Sequence, residues 1–296
     1  MLRFSSLASG SSGNATLVEA WPARGERPTR LLVDCGLTLR RLTRALADRG
    51  CTPSDLDAVF VTHEHSDHVG GVLALQRRHG VPVWTSAGTW SAATVYRTPS
   101  APASIVRSGD TITVGAMTLR PFAVPHDAAE PLQLICSDGQ RRLGIVTDLG
   151  EPTDSTARAL QGCDALLLEC NHDHSMLASG PYPPWLKRRI GGARGHLANH
   201  QSAALLDACR HDALRHVVAA HLSRHNNTPA LALDALTQAL RQGLPFGSPE
   251  LHVADGDVGS GSDAGGERQA DGAPACQQTA DRHPVADPSR IRQGQD

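Results

Sequence analysis

The sequence predicts an α/β protein in which layered β-sheets carry helices on their outer faces. Short apolar runs with the two-residue alternation of strands recur across residues 1–253. Amphipathic stretches with the spacing of helices lie between these runs. Turns rich in glycine, serine and aspartate separate the two kinds of segment. Strands interspersed with helices in this way form sheets that are covered by helices.

The first third of the chain combines strands with two helices. Apolar Leu39, Leu42 and Leu46 alternate with arginines before Gly50, which predicts a helix over 39–49. A second helix is predicted over 69–79. Small residues from Ser9 to Asn14 form a loop between the first two strands. The strands predicted in this part of the chain are 2–7, 15–19, 31–33 and 58–62.

The middle of the chain shows two hairpins and further strand–helix alternation. Gly115 interrupts one alternating stretch, and Asp138-Gly139 is a strong hairpin turn signal in the next. Apolar runs at 165–169 and 216–220 predict two further strands. The strands predicted around the two turns are 110–114 and 117–124, then 132–136 and 143–146. The helices predicted here are 153–160, 201–209 and 229–241.

The C-terminal segment has a different composition from the rest. From Ala254 onward, glycine, aspartate, serine, glutamine and proline dominate, and no aromatic residue occurs. Such a segment buries too little apolar surface to offset its ordering entropy. We therefore expect one catalytic domain over 1–253 and a disordered low-complexity tail over 254–296.

Composition excludes several classes of protein. The net charge of −2 provides no global basic field for nucleic acid or membranes, although a local patch remains compatible with it. Residues 1–7 lack the layout of a signal peptide, and no apolar run is long enough for a membrane helix. We therefore expect a cytoplasmic protein without a membrane partner. The seven cysteines form no CxxC pair, which is typical of reduced thiols and disfavours a cysteine-built zinc site.

A dense group of metal-ligand side chains follows the strand 58–62. It reads Thr62-His63-Glu64-His65-Ser66-Asp67-His68 and directly precedes a predicted helix. In an extended segment His63 and His65 point the same way, and Asp67 and His68 then lie at the turn. Imidazole and carboxylate ligands suit zinc, manganese or iron. The alternative, a histidine-rich surface loop, fits poorly with the buried strand before it.

Three further candidate ligands occur at strand ends. His126 follows the strand 117–124, Asp148 follows 143–146, and His221 follows 216–220. Each of these alone is typical of a surface or capping residue. Together with the loop cluster they indicate a preorganised site for two divalent metal ions, Zn²⁺ or Mn²⁺, because rigid elements hold every ligand.

The sequence resembles the metallo-β-lactamase superfamily over residues 1–253. His63–His68 match its HxHxDH signature, and His126, Asp148 and His221 follow in the family's order. The resemblance implies an αββα sandwich of two mixed sheets with helices outside and a dinuclear site at one edge. It also implies that His63, His65 and His126 hold one metal. Asp67, His68 and His221 would hold the second, with Asp148 bridging and Asp34 orienting a ligand behind the site.

Further motifs resemble the YycJ/WalJ-like branch of this superfamily. They include Ser9-Gly10-Ser11-Ser12-Gly13-Asn14, Glu169-Cys170-Asn171-His172-Asp173 and His221-Leu222-Ser223-Arg224-His225-Asn226-Asn227. The resemblance implies phosphodiester cleavage in nucleic acid, in particular 5′→3′ exonuclease action on DNA, with single-stranded DNA as the expected substrate. Glu169 is expected to support the ligands or the pocket, because the metal positions are already filled.

Candidate catalytic and substrate-binding residues follow from the chemistry. Asp67 and Asp148 are expected to orient or deprotonate the attacking water, and His196 is the candidate proton donor to the leaving oxygen. A plain helix-start histidine is an equally good interpretation of His196. Phosphate contacts are expected from the 9–14 loop at Ser9 and Asn14, and from a set of basic and amide side chains. That set is Arg188, Arg189, Arg224 and Asn226, although a solvated helix face explains 187–189 as well.

Three alternatives remain open on sequence grounds. A small-molecule phosphodiesterase acting on cyclic nucleotides, resembling PhnP, shares the Ser-Gly-Ser-x-Gly-Asn opening. A thioester hydrolase of the glyoxalase II type shares the ligand set. A non-enzymatic metal-binding regulator would keep the ligands and hydrolyse no phosphodiester. A substrate panel of DNA, RNA and cyclic nucleotides separates these functions.

Overall fold

The computed structural model describes residues 1–22, 27–95, 97–241 and 249–254, together with the backbone of 278–279. Of the tail predicted over 254–296, only Ala254 and 278–279 belong to the described residues. The disorder predicted for that segment therefore stays a prediction.

The described strands form two sheets and are numbered in chain order. A short 3₁₀ turn at Pro53–Asp55 follows Thr52. The strands are β1 (Leu2–Ala8), β2 (Ala15–Ala20), β3 (Thr29–Val33), β4 (Ala58–Phe60), β5 (Val83–Thr85), β6 (Ser104–Ile105), β7 (Ile112–Val114), β8 (Met117–Ala123), β9 (Leu132–Ser137), β10 (Arg142–Val146), β11 (Ala165–Glu169), β12 (His216–Ala220), β13 (Glu250–Val253) and β14 (Gln278–Thr279).

The described helices are mostly short and begin at capping side chains. Thr38, Ser86, Thr153 and Asp173 each accept a hydrogen bond from a backbone N–H in the first turn of the helix that follows. The helices are α1 (Leu39–Ala47), α2 (Ser66–Val69), α3 (Val72–His79), α4 (Ala87–Thr94), α5 (Asp154–Leu160), α6 (His174–Ser179), α7 (Pro184–Ile190), α8 (Asn199–Cys209) and α9 (Pro229–Arg241).

Both sheets are mixed and have similar orders. The first runs β14-β1-β2-β3-β4-β5-β6 and the second runs β13-β12-β11-β10-β9-β8-β7. β1 to β3 pair antiparallel and β3 to β6 pair parallel. In the second sheet β7 to β10 pair antiparallel and β10 to β13 pair parallel. β4, β8, β10, β11 and β12 therefore bring their carboxyl ends towards one edge of the sandwich.

Three apolar layers hold the sandwich together. The central layer joins the sheets through side chains such as Phe4 and Phe60 from one sheet and Leu119 and Leu134 from the other. A second layer packs α1 and α3 on the first sheet. A third packs α5, α8 and α9 on the second sheet. The order helix–sheet–sheet–helix confirms the αββα sandwich with helices outside.

The sequence located most elements but missed the short ones. The hairpins at Gly115 and Gly139 are confirmed, and both glycines have positive φ. The single helix predicted over 69–79 is wrong, because the chain forms α2 and α3 with a break at Gly70-Gly71. A Cβ on Gly71 would lie 2.1 Å from the Leu37 carbonyl oxygen, so the break is a close approach of two loops. The short elements β5, β6 and α4 carry too little pattern to be predicted, and their neighbours stabilise them.

Candidate metal centre

The first ligand group consists of three imidazoles that converge on one point. His63 and His65 lie in the loop after β4, and His126 follows β8. His63 Nε2 lies 3.1 Å from His65 Nδ1, which lies 3.3 Å from His126 Nε2. Tetrahedral zinc with bonds of about 2.0–2.1 Å separates its ligand nitrogens by roughly 3.3–3.4 Å. The three nitrogens therefore have the spacing of a metal site.

Hydrogen bonds orient two of these rings. His126 Nδ1 donates to the Gly195 carbonyl oxygen at 2.9 Å, which leaves an electron pair on Nε2 for a metal. His63 Nδ1 lies 3.0 Å from Thr62 Oγ1 on the side away from the other imidazoles. Backbone and hydroxyl partners thus point both Nε2 atoms at the same place.

The second ligand group lies beside the first. Asp67 Oδ2 is 3.6 Å from both His68 Nε2 and His221 Nε2. Asp148 lies between the groups, with Oδ2 at 2.9 Å from His68 Nε2. Ligand atoms of His63, His68 and Asp148 also lie within 4.8 Å of one another, so the two groups share members. The structure therefore brings together all seven side chains that the sequence analysis named as metal ligands.

Two orphaned atoms test whether the site fits divalent metal ions. Asp148 Oδ2 and His221 Nε2 are buried and make no hydrogen bond of normal geometry among the described residues, because their nearest polar neighbours, His68 Nε2 and Asp67 Oδ2, are themselves ligand atoms. Leaving buried polar atoms unsatisfied costs about 1–3 kcal/mol each. A divalent cation would satisfy both atoms, and the nitrogen and oxygen donors match its ligand preferences. The residues present therefore fit divalent metal ions.

Asp34 supports the second group from behind. Asp34 is buried directly after β3, and its Oδ2 accepts from His68 Nδ1 at 2.8 Å. Its Oδ1 accepts from the Thr62 backbone N–H at 2.8 Å. A proton held on His68 Nδ1 leaves Nε2 as the free electron pair that faces Asp67 and Asp148.

Glu169 and His196 form a second support on the opposite side. Glu169, the last residue of β11, is fully buried. Its Oε1 lies 2.8 Å from His196 Nδ1 and 3.1 Å from His221 Nδ1, while Oε2 accepts from the Leu149 N–H at 2.8 Å. One carboxylate therefore orients two imidazoles, and Nε2 of His196 is the nitrogen left for other partners.

Backbone strain is concentrated at this site. Asp34, Asp148 and His221 are the non-glycine residues with positive φ among the described residues, at 61°, 59° and 56°. This left-handed region costs a side-chain-bearing residue about 1 kcal/mol or more. Each of the three follows the end of a strand in the site. The sheets thus impose a sharp turn that aims each side chain at the metal groups.

The electrostatics of the metal-free cluster keep its carboxylates ionised. Burial raises the pKa of Asp148, but the charges of His221 and His68 outweigh burial and hold this pKa well below its usual range. Burial likewise opposes the shift of Glu169, whose pKa His196 lowers to about 2. Burial, followed by the positive charge of His68, lowers the pKa of His63. Ionised carboxylates and a neutral His63 are the forms that bind metals. Burial lowers the pKa of His68 and His221, but the charge of Asp148 outweighs burial and raises both, so a metal would displace a proton from each of these two rings.

An open cavity of about 310 Å³ gives access to the ligand groups. Asp67, Asp148, His196 and His221 lie on its wall. Its lining also includes Asp127, whose Oδ2 pairs with Arg189 Nε at 2.6 Å and whose Oδ1 lies 3.4 Å from His126 Nε2. Asp127 is not among the residues that the sequence predicts for the site. Its position directly after a ligand histidine is the signal that would have found it.

Two residues that were predicted to contact phosphate, Ser9 and Asn14, contact the metal-ligand residues in the structure. Ser9 is buried, and its hydroxyl accepts from the His221 backbone N–H at 2.7 Å. Asn14 is also buried. Its Oδ1 accepts from the Gly10 N–H at 2.8 Å, and its Nδ2 lies 2.9 Å from His68 Nε2 and 3.3 Å from Asp67 Oδ2. Both side chains thus hold the ligand loops, and Ser11 is the member of their loop that lines the cavity.

The remaining predicted contacts differ in their access to the cavity. Arg189 lines the cavity, whereas Arg188 lines a neighbouring cavity of about 520 Å³. Arg224 lies in a third cavity of about 310 Å³, where its Nη2 donates to Ser12 Oγ at 3.3 Å. Asn226 is fully buried and lies outside the linings of these three cavities. Burial places its side chain in the support of the loop after β12, away from the position predicted for a substrate contact.

Comparisons with known proteins match the chain to one superfamily and to two proteins named as exodeoxyribonucleases. A family model described as "Beta-lactamase superfamily domain" matches residues 29–222. The chain is 35% identical over 258 residues to exodeoxyribonuclease YycJ of Bacillus anthracis, covering 86% of this chain and 96% of that protein. It is 34% identical over 244 residues to exodeoxyribonuclease WalJ of Streptococcus pneumoniae, with coverages of 81% and 88%.

The fold also matches a crystal structure. The metallo-β-lactamase fold protein YhfI from Bacillus subtilis superimposes with a TM-score of 0.64 at 18% identity. The match covers 86% of this chain and 95% of YhfI. Over the described residues, no helix combines the length and apolar character that crossing a membrane requires.

Proposed function

This chain belongs to the metallo-β-lactamase superfamily, in the branch of YycJ and WalJ, and on that premise we propose that it is a metal-dependent exonuclease acting on DNA. The observation that carries the proposal is the pair of adjacent ligand groups beside an open cavity, with Asp148 close to His63 of one group and His68 of the other. The names of these two relatives supply the substrate class, DNA. The 5′→3′ direction is the one that the sequence resemblance implies.

We propose that the centre holds two ions, Zn²⁺ or Mn²⁺, one in each ligand group. When bound, such a pair neutralises charge on a phosphate and makes water acidic enough to attack at neutral pH. His63, His65 and His126 would hold one ion. Asp67, His68 and His221 would hold the other, with Asp148 touching both. Asp67 and Asp148 also present carboxylate oxygens that can orient the attacking water.

His196 is the proposed proton donor to the leaving oxygen. Its ring lines the cavity, and Glu169 accepts from its Nδ1 at 2.8 Å, so Nε2 is the nitrogen available to a substrate. Glu169 also fixes the plane of the ring and stabilises its positive charge. Arg189 lies on the wall of the same cavity and supplies a guanidinium for the phosphate oxygens.

The test is cleavage of 5′-phosphorylated single-stranded DNA that carries a label at its 3′ end. We expect the labelled strand to shorten progressively from the 5′ end with Zn²⁺ or Mn²⁺ supplied, and EDTA to stop the reaction. A protein that cleaves 2′,3′-cyclic nucleotides but no polymer would instead be a small-molecule phosphodiesterase, and one that cleaves only thioesters would be a thioester hydrolase.

Replacing Asp67 or His68 with alanine should abolish turnover of DNA and of bis-p-nitrophenyl phosphate. Each substitution removes a ligand of the second group and leaves the other ligands without their shared cation. Ser66→Ala changes the same short helix, α2, without removing a ligand and is the matched control. Wild-type turnover by either ligand variant would contradict the site assignment.

A further inference from the structure

The exposed face of α7 has a composition that the proposed chemistry does not explain. Trp185 is 61% exposed, the largest of the exposed apolar side chains among the described residues. Arg188 and Arg189 are also exposed, whereas Leu186, Lys187 and Ile190 are half-buried. At about 100° per residue, positions 185, 188 and 189 fall within an arc of roughly 100°. One helix face therefore presents an indole ring flanked by two guanidinium groups.

This face lies between two cavities. Arg189 lines the cavity of the metal centre, and Arg188 lines the neighbouring cavity of about 520 Å³. Trp185 lies one helical turn before both arginines on the same exposed face, outside the linings of the two cavities. α7 thus lies between the cavity of the metal centre and a second, larger groove.

The second cavity has the chemistry of an anion-binding groove. Lys187, Arg188, His174 and His200 line it, and no carboxylate does. Buried His172 also lines it, and His172 Nδ1 has no hydrogen-bond partner. The basic side chains and the absence of carboxylates in this lining suit the groove to an anion.

The charge around α7 is positive although the chain as a whole is slightly negative. No aspartate or glutamate occurs between Asp173 and Asp207, whereas four basic residues do. Asp127 reaches this region from another loop and pairs with Arg189 at 2.6 Å. That contact neutralises one of the cations and leaves the others to face a polyanion.

We propose that α7 and the adjacent groove form the binding surface for single-stranded DNA, with Trp185 stacking on one of its bases. Sites for single strands combine basic grooves with exposed aromatic rings, because every base has a π-face. Bases inside a duplex have both faces covered by their neighbours, so Trp185 finds a free base face only in a single strand or at a duplex end. This inference rests on the proposed function and specifies how a polymer is held.

The test compares a polymer with a small ester for the metal-loaded full-length enzyme. The substrates are a 5′-phosphorylated 20-residue oligothymidylate and bis-p-nitrophenyl phosphate. For Trp185→Ala we expect KM for the oligonucleotide to rise about five- to thirty-fold, relative to any change for the ester. Trp185→Phe retains a stacking ring and should restore most of the loss. Leu231→Ala, an exposed apolar residue on α9, is the matched control.

Direct binding provides a second measurement. A phosphorothioate oligothymidylate that resists cleavage should quench tryptophan fluorescence of the wild-type enzyme, and Trp185→Phe should lose most of that quenching. Loss of polymer binding in Trp185→Ala, with rescue in Trp185→Phe, supports the proposal. An unchanged KM for the polymer in Trp185→Ala overturns it, and so does an equal loss with both substrates.

The wild-type enzyme separates failure of this inference from failure of the proposed function. If wild type degrades DNA while Trp185→Ala keeps the wild-type KM, the nuclease stands and the α7 surface does not. If wild type cleaves the ester but no DNA, the nuclease proposal fails. The quenching measurement then decides the binding surface independently.

Discussion

At the scale of single residues, the metal centre depends on side chains that hold the ligands in place. Asp34, Glu169 and Asn14 each contact one or more ligand side chains and are themselves buried. Ser9 holds the backbone of His221. Such partners fix which nitrogen of an imidazole carries the proton and which faces the metal. The four supports come from three segments, the loop between β1 and β2, the end of β3 and the end of β11, so the ligand geometry depends on both sheets of the sandwich.

Asp34→Asn should weaken metal binding without unfolding the protein. The amide can still occupy the left-handed backbone conformation at this position, but it removes the negative charge that faces His68 Nδ1. Loss of such a partner typically lowers metal affinity about 10- to 100-fold. Competition with a fluorescent chelator measures the affinity, and circular dichroism checks the fold. An unchanged affinity would show that His68 needs no orienting carboxylate.

At the scale of elements, α7 has two faces with different tasks. The half-buried face holds Leu186 and Ile190 against the protein, and the exposed face carries the two arginines. Arg188 has the larger role in attracting a polyanion, because Arg189 already pairs with Asp127. The two neighbouring arginines therefore should differ in their effect on nucleic-acid binding.

Arg188→Ala should reduce the salt dependence of DNA binding. Each phosphate neutralised on a single strand contributes about −0.7 to the slope of log affinity against log salt. We expect the slope for Arg188→Ala to decrease in magnitude by about this amount, and that for Arg189→Ala to change less. Fluorescence anisotropy of a labelled phosphorothioate strand at several salt concentrations measures both. Equal slopes for wild type and Arg188→Ala would place the phosphates elsewhere.

The turn between β9 and β10 depends on one carboxylate. Asp138 Oδ1 accepts from the Gln140 and Arg141 N–H groups at 3.0 and 2.7 Å. Burial raises the pKa of Asp138, but these hydrogen bonds, together with the amino group of Met1 at 3.1 Å from Oδ2, outweigh burial and lower it. A lowered pKa in the folded state means that the ionised form stabilises the fold above the unfolded pKa of about 4. That stabilisation is lost as the pH falls through the folded pKa.

Asp138→Asn should therefore destabilise the protein at pH 7 by about 1 kcal/mol, because an amide oxygen accepts these bonds less strongly. The difference from wild type should shrink as the pH falls from 4 towards 2.5. Urea unfolding at a series of pH values measures the free energy of unfolding. A difference that is constant across this range would mean that the carboxylate charge contributes nothing.

At the scale of the whole molecule, the two sheets meet at an edge that concentrates charge and strain. Seven ligand side chains with two orphaned buried atoms and three strained residues are held together there. These features oppose folding in the absence of a cation. Metal binding to the folded state should therefore contribute to the stability of the entire sandwich.

Removing metal should lower the melting temperature of the protein. At free metal about 100-fold above Kd, linkage contributes about 2.7 kcal/mol, which corresponds to roughly 5–10 °C for a domain of this size. Calorimetry before and after dialysis against EDTA, with Zn²⁺ or Mn²⁺ restored, measures the shift. Asp67→Ala should show a smaller response to metal. A melting temperature that ignores EDTA would contradict a resident metal.

Local pattern in the sequence determined much of the fold and the identity of the metal ligands. Alternation of period two identified strands such as β11 and β12, and the HxHxDH cluster stood out because four ligand side chains occupy six positions. Family resemblance then supplied the order of layers. Short elements such as β5 and α4 were not predicted. Neighbouring strands and helices stabilise them, so their own residues show little local pattern.

Tertiary structure alone decided how these residues are used. Ser9 and Asn14 face His221 and His68 across the fold, so residues that resemble phosphate contacts hold the ligands instead. The sequence by itself determined that His63–His68, His126, Asp148 and His221 belong to one kind of site, because ligand chemistry and strand ends are local properties. Their convergence, the left-handed turns at Asp34, Asp148 and His221, and the exposed indole of Trp185 depend on contacts between distant segments, which only sheet pairing and packing establish.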